Sequence, residues 1–232
     1  MGILYVVATP IGNLEDITLR ALRVLNDVSL VAAEDTRVTR TLFRAHAIDT
    51  PLASFHEFTS PGRRGRLVER LEGGDVALVT DAGTPAVSDP GYALIRDALE
   101  AGHQVVPIPG PSSLLAALVA SGLPMHAFCF AGFLPRTSAG RRKLLAQHAD
   151  GDTTLVVFES PHRVVAALKD LVATLGADRP LAIGRELTKH FEEIFRGTAQ
   201  AALAHFEAKV PRGEFTIVIG GRSAPLPGGA TS

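Results

Sequence analysis

Four short stretches of this 232-residue sequence hold residue types that can do chemistry: Thr9-Pro10-Ile11-Gly12-Asn13, Glu34-Asp35-Thr36-Arg37, Asp81-Ala82-Gly83-Thr84-Pro85 and Pro109-Gly110-Pro111-Ser112-Ser113. Gly and Pro let a backbone turn tightly and come close to a ligand. Helix starts expected at Asp16 and Ser112 would add unpaired N–H groups. Such loops suit a small molecule held by backbone hydrogen bonds. They match no standard phosphate signature, because neither GxGxxG nor GxxxxGKS/T occurs, so a dinucleotide or nucleoside triphosphate is disfavoured. There is no GxSxG elbow for a serine nucleophile. The eight histidines and the single cysteine, Cys129, show no HExxH, CxxC or HxH spacing. No metal site is therefore expected. His56 and His162 read as polar site or surface residues, and Cys129 as a core residue.

The elements around these stretches alternate. Residues 3–8, 29–33, 51–55, 76–80 and 104–108 read as strands. Helical patterns follow over 16–26, 38–46, 64–72, 89–101 and 112–121. In the first helix Asp16 is the expected N-cap, with Ile17, Leu19, Leu22 and Leu25 inward. Strands alternating with helices over short loops predict a parallel sheet covered on both faces. In such sheets ligands bind beyond the carboxyl ends of the strands, where all four stretches fall. Gly122-Leu123-Pro124 is the expected boundary between a first domain, 1–122, and a second, 125–222. The second has strands at 128–133, 154–159, 181–186, 193–199 and 214–220, and helices at 139–148, 164–175 and 199–208. Its last three strands permit antiparallel pairing, so a mixed sheet is expected. The fold class is α/β in both domains. Residues 223–232 read as a flexible tail.

Net charge is −1, from 23 Lys+Arg against 24 Asp+Glu, and hydrophobic residues make up 46%. That composition excludes a disordered chain, and one cysteine excludes a disulfide scaffold. No apolar run is long enough for a transmembrane helix, and no signal peptide is expected, which fits a cytoplasmic protein. The near-zero total first argues against a nucleic-acid partner. By region it does not. Residues 1–124 hold 10 basic and 14 acidic side chains, and residues 125–232 hold 13 and 10. Residues 101–149 contain no acid but include Arg136, Arg141, Arg142 and Lys143; residues 58–68 contain no acid but include Arg63, Arg64 and Arg66. Each island is either a solvated helix face or a phosphate-holding loop.

Several segments taken together resemble one family. They are LYVVATPIGNL at 4–14, AEDTR at 33–37, DAGTPAVSDPG at 81–91, PIPGPS at 107–112, GFLP at 132–135 with GRRK at 140–143, FESPHR at 158–163 and RELTK at 185–189. In this order, over about residues 3–221, they resemble the ribosomal small-subunit (16S) rRNA cytidine-2'-O-methyltransferases of the tetrapyrrole methylase superfamily. Two features differ. Phe58-Thr59 follow His56-Glu57 where the family often has His-Asn, and the family often adds a C-terminal helical domain.

The resemblance implies a tetrapyrrole methylase-like fold of two α/β domains with S-adenosyl-L-methionine bound in the cleft between them. It also implies a homodimer, and methyl transfer to a cytidine ribose 2'-hydroxyl in 16S rRNA, free or in the assembled small subunit. Cofactor contacts are implied at Pro10, Gly12, Ala82, Gly83, Thr84, Pro85, Val87, Ser88, Ser112 and Ser113. In the second domain they are implied at Phe133, Phe158, Leu187, Pro211, Glu214 and Phe215. A ribose hydroxyl is a poor acid, so a general base or a cation beside the developing alkoxide would help. Candidates are Lys189, Glu186, Arg185, Glu159, Asp35 and His56, of which the Arg185, Glu186 and Lys189 group is favoured. Arg37, His56, Arg63, Arg64, Arg136, Arg141, Arg142 and Lys143 form the expected RNA-contacting set. Two other readings compete: a methylase of a small tetrapyrrole or other non-RNA acceptor, and a non-catalytic binding module.

Overall fold

The computed structural model describes residues 2–227. They divide into two compact units between Ser112 and Ser113.

The first unit holds strands β1 (Ile3–Val7), β2 (Leu30–Ala33), β3 (Leu52–Ser54), β4 (Val76–Val79) and β5 (Gln104–Ile108), with helices α1 (Leu19–Asp27), α2 (Thr36–Ala45), α3 (Pro61–Arg70) and α4 (Tyr92–Glu100). The sheet order is β3-β2-β4-β1-β5 and every pairing is parallel. Successive strand side chains point to opposite faces. Val7, Val31, Ala33, Ala77 and Val79 pack with Leu25 of α1 and with Leu42 and Phe43 of α2. Leu4, Leu30, Ala32, Val76 and Leu78 pack with Leu67 of α3 and Leu94 of α4. Burial on both faces explains the uninterrupted apolar runs. Each fully buried leucine contributes about 1.5–3 kcal/mol.

Helix starts differ from expectation. Asp16 does not cap α1. Residues Leu14–Asp16 form a 3₁₀ turn whose cap is Asn13, and α1 begins only after Thr18, whose hydroxyl accepts from the Ala21 amide. The shift turns Leu19 outward, at 86% exposure, while Ile17 and Leu25 remain buried. Asp35 caps α2, so that helix starts two residues before Val38, and Pro61 opens α3 ahead of Arg64.

The second unit holds α5 (Ser113–Ser121), β6 (Phe128–Phe133), α6 (Ser138–Ala146), β7 (Thr154–Glu159), α7 (Val164–Leu175), β8 (Pro180–Arg185), β9 (Glu193–Thr198), α8 (Ala199–Glu207) and β10 (Phe215–Ile219). The sheet is mixed, in the order β6-β7-β10-β8-β9. β6 runs parallel to β7, while β10 is antiparallel to β7 and β8, and β8 to β9. Leu155, Val157, Leu181, Ile183, Ile217 and Ile219 build one core with α6, α7 and α8, against which half-buried Cys129 packs. α5 packs against β8, β9 and β10. It therefore groups with this unit, and the division falls before the helix rather than at Gly122-Leu123-Pro124 after it. Of residues 223–232, Ser223 donates its amide to Asp152 at 3.0 Å, Ala224 to the Gly221 carbonyl at 3.2 Å, and Pro227 is buried. Residues 228–232 lie outside the described residues. Among the described residues no helix is long and apolar enough to cross a membrane.

Candidate active site

A parallel sheet puts all its carboxyl ends on one edge. Along that edge lie Thr9 and Pro10 after β1, Glu34 and Asp35 after β2, His56 after β3, Asp81 to Pro85 after β4, and Pro109 to Ser112 after β5. The loops are tied together. Thr9 and Gly83 exchange backbone hydrogen bonds at 2.9 and 3.0 Å, the Thr9 hydroxyl donates to the Thr80 carbonyl at 3.1 Å, and the Thr84 hydroxyl to the Pro111 carbonyl at 3.4 Å. Gly83 turns at φ +78° beneath Ile11, and Ala86 and Ser88 adopt φ of +69° and +64°. Non-glycine residues in this region store strain and persist only where their surroundings dictate it. Pro10, Gly83 and Pro85 are buried, Ala82, Thr84, Val87, Ser112 and Ser113 are half-buried, and Gly12 and Ser88 are exposed.

This edge is acidic. The Asp35 amide donates to Asp81 at 3.0 Å, and the Asp81 amide to Glu34 at 3.3 Å. Arg37 forks onto Asp35, with a shortest contact of 2.6 Å, and that hydrogen bonding holds the Asp35 carboxyl down at about 2. Arg37 stays charged in this pair, and most of its side chain faces water. Desolvation and the neighbouring Asp35 push Asp81 upward. Burial pushes Glu34 upward, and Asp81, Asp35 and Glu57 push the same way, against the hydrogen bond from the Asp81 amide.

A carboxylate with a raised folded pKa weakens the fold when charged. Its penalty is full above the folded value and vanishes below the unfolded one, about 4.3. Glu34→Gln is therefore expected to raise the thermal midpoint at pH 7, by less than about 1 kcal/mol of stability, and to lose that advantage by pH 4. Melting curves across this range check it.

The edge fits a sulfonium cofactor on chemical grounds. A cation beside an adenosine wants apolar walls, backbone partners and carboxylates, and Pro10, Ile11, Pro85 and Val87 stand among Glu34, Asp35 and Asp81 with one basic side chain, already paired. The Thr80 hydroxyl and His56 Nδ1 are buried without a protein partner.

In the second unit, the RELTK turn carries the polar groups. Lys189 Nζ donates to Glu186 at 3.0 Å and to Glu214 at 2.9 Å. The Glu214 amide donates to Glu186 at 3.0 Å, and Glu186 and Thr188 take φ of +51° and +66°. Burial acts against charge on both partners, but the hydrogen bonds win. The Lys189 pKa is raised, and the Glu186 pKa is lowered by Lys189 and the Glu214 amide. Arg185 belongs to a separate network: it donates to Glu193 at 2.8 Å, which also meets His205 at 2.6 Å. The three favoured residues thus form two charge clusters.

Gly213, at φ +88°, supports the first cluster, because a Cβ there would land on the Glu186 side chain. Gly213→Ala should cost about 1–3 kcal/mol and displace Glu186, which a melting curve and a turnover assay together detect.

Leu187 is buried, Phe133 is 54% exposed and packs edge-on against Phe158 at 5.6 Å, and Pro211 is half-buried. Phe215 is buried and packs edge-on against Phe206 at 5.4 Å, and Glu214 accepts a hydrogen bond from Lys189. Glu159 is buried and paired with Arg163 at 2.7 Å, yet its Oε2 has no partner.

The expected RNA set separates into outward and inward groups. Arg64 is clamped on Asp97 at 2.7 Å and on the Thr59 carbonyl, joining α3 to α4. Arg141, 6% exposed, is clamped on Asp170, which also holds Ser138 and Arg142. Arg64 and Arg141 therefore hold helices together. Arg63, Arg136 and Lys143 are exposed, His56 is half-buried, and Arg142 is paired but half its side chain faces water. Nothing in the local sequence announces the clamps, because their acids lie 33 and 29 residues away.

Residues 3–203 match the family model for tetrapyrrole (corrin/porphyrin) methylases. The chain is 48% identical to a Synechocystis protein named ribosomal RNA small subunit methyltransferase I, over 95% of this chain and 80% of that one. It is 47% identical to the Thermotoga maritima protein of the same name, over 96% of this chain and 100% of the relative. Among solved structures it is similar to a cobalt precorrin-4 methyltransferase of cobalamin biosynthesis, with a TM-score of 0.69 and 17% identity over 94% of both chains. That likeness concerns the fold.

Proposed function

Because the chain belongs to the tetrapyrrole (corrin/porphyrin) methylase family, we propose that it transfers a methyl group from S-adenosylmethionine to the ribose 2'-hydroxyl of a cytidine in 16S rRNA. The observation that carries this reading is near-half identity, along almost the whole chain, to proteins named for the small-subunit ribosomal RNA. The cobalt precorrin-4 methyltransferase shares the fold at only 17% identity, which favours RNA over a tetrapyrrole acceptor.

S-adenosylmethionine would supply an electrophilic methyl carbon on its sulfonium: as the 2'-oxygen bonds to that carbon the carbon–sulfur bond breaks, the neutral thioether leaves and the hydroxyl proton passes to solvent water, while the chain supplies position and field. In the first unit, Pro10, Gly12, Ala82 to Pro85, Val87, Ser88 and Ser112 are the proposed cofactor contacts. In the second they are Ser113, Phe133, Phe158, Leu187 and the backbone of the 211–215 turn. Lys189 keeps its proton between two carboxylates, so it acts as a fixed cation beside the 2'-oxygen as that atom gains negative charge. Glu186 and Glu214 orient it. Arg136, Arg142 and Lys143 are proposed to hold RNA phosphates. A cytoplasmic homodimer completes the proposal, and light scattering tests the dimer.

Tritiated methyl donor offered with undermethylated small subunits, free 16S rRNA and a tetrapyrrole tests the acceptor. Label is expected in RNA. Label confined to the tetrapyrrole would overturn the reading.

A further inference from the structure

The exposed face of α3 carries Arg63, Arg66 and Arg70, which together with Leu30, Ala53, Ser54, Leu67 and Glu69 line a surface groove of about 470 Å³. Spacings of three and four residues bring side chains to one helix face. At 1.5 Å rise per residue the three guanidiniums spread over about 10 Å. None of them has an ion pair among the described residues, and Glu69 is the one acid in the lining. Their neighbour Arg64 turns the other way, onto Asp97, and pins the helix. The groove is thus a concave, cationic surface beside β3, which ends the first sheet.

At the start of the same helix stands Phe58, 89% exposed, following His56 at the carboxyl edge of the sheet. With one ring neighbour among the described residues, His56 at 6.5 Å between centroids, Phe58 offers a free aromatic face of the kind that stacks on an unpaired base.

We infer that the arginine groove of α3 and Phe58 form a docking track for single-stranded RNA. The arginines hold consecutive phosphates and Phe58 stacks on a splayed base near the acceptor nucleotide. Charge decides the occupant: three guanidiniums against one carboxylate in a single concavity complement a polyanion. This inference rests on the RNA-methylating reading and adds Arg66, Arg70 and Phe58 to it.

The test measures binding of the full chain to transcribed 16S rRNA over a salt series. Arg63→Glu/Arg66→Glu/Arg70→Glu is expected to weaken binding about tenfold or more, and to flatten the slope of log affinity against log salt by about 2, at roughly 0.7 per lost phosphate contact. Phe58→Ala should weaken it about tenfold with the slope unchanged, because stacking releases no counterions. Binding of S-adenosylmethionine, measured by calorimetry, should be unaltered. Should the charge-reversed protein not fold, Arg66→Gln/Arg70→Gln keeps the slope measurable, with a loss of about 1.4 expected. Wild-type affinity and slope in these variants would overturn the inference. So would a defect seen only with assembled subunits and not with RNA, which would assign the groove to a protein. Wild-type protein that labels no RNA at all would instead overturn the methylation reading.

Discussion

Asp170→Ala is expected to lower the thermal midpoint by roughly 6–20 °C, the equivalent of about 3–5 kcal/mol for breaking a buried ion pair in a chain of this size. Asp170 is 3% exposed and its two oxygens take hydrogen bonds from Ser138, Arg141 and Arg142 at 2.7, 2.8 and 2.7 Å. Removing it leaves the Arg141 guanidinium buried without a counter-charge while α6 loses its tie to α7. Most of the loss is therefore the cost of an orphaned charge. Asp170→Leu combined with Arg141→Met should recover part of it, since apolar groups of similar volume often replace a buried pair at little cost. The pH dependence has a definite sign. Burial favours the neutral acid, but the bonds from Ser138, Arg142 and Arg141 outweigh it and the Asp170 pKa is lowered. Its contribution is therefore full above the unfolded carboxylate value of about 3.9 and fades as pH falls through the lower folded value. In melting curves from pH 7 to pH 2, the wild-type and Asp170→Ala midpoints should converge only at the acid end.

Lys189→Ala is expected to lower kcat about 10²–10³-fold, the usual loss when one preorganised donor facing a developing oxyanion is removed. Binding of S-adenosylmethionine should be little changed, because the ammonium contacts Glu186 and Glu214. Lys189→Arg should restore part of the rate if the charge is what matters. The pH profile separates this role from proton abstraction. With its pKa raised, Lys189 stays charged well past neutrality. Its pairing stabilises the fold fully below the unfolded lysine value of about 10.4 and is lost as pH rises through the higher folded value. The wild-type rate should therefore show no lysine-dependent limb between pH 7 and pH 9. Wild-type turnover in a folded Lys189→Ala protein would remove the residue from the chemistry.

The regular framework was legible because burial writes it plainly. β7 at Thr154–Glu159 and α7 at Val164–Leu175 fall where their apolar periods place them, and the all-parallel first sheet follows from alternating strands and helices. The starts of α1, α2 and α3 lie away from the positions the local signals suggest. Asp16, Thr18 and Asn13 are all acceptable caps, and only the chain's path into the core shows that Asn13 caps a separate turn and Thr18 caps α1. The acidic edge was visible as residue types but not as a network, since Asp35, Asp81 and Glu34 meet only when β2 and β4 pair. The same blindness affected charge. Arg63 and Arg64 are adjacent and chemically alike, yet one lines an open groove and the other is clamped on Asp97. Strain at Ala86, Ser88, Glu186 and Thr188 gave no compositional signal, because none of them is glycine.

The most direct test of the account is the chemical identity of the methylated nucleoside. Small subunits lacking the modification are incubated with the full chain and isotopically labelled S-adenosylmethionine, and the 16S rRNA is then digested to nucleosides and resolved by mass spectrometry. Label is expected in 2'-O-methylcytidine, with the heavy methyl on the ribose fragment. Label on a base fragment alone, or on the ribose of a nucleoside other than cytidine, would contradict it.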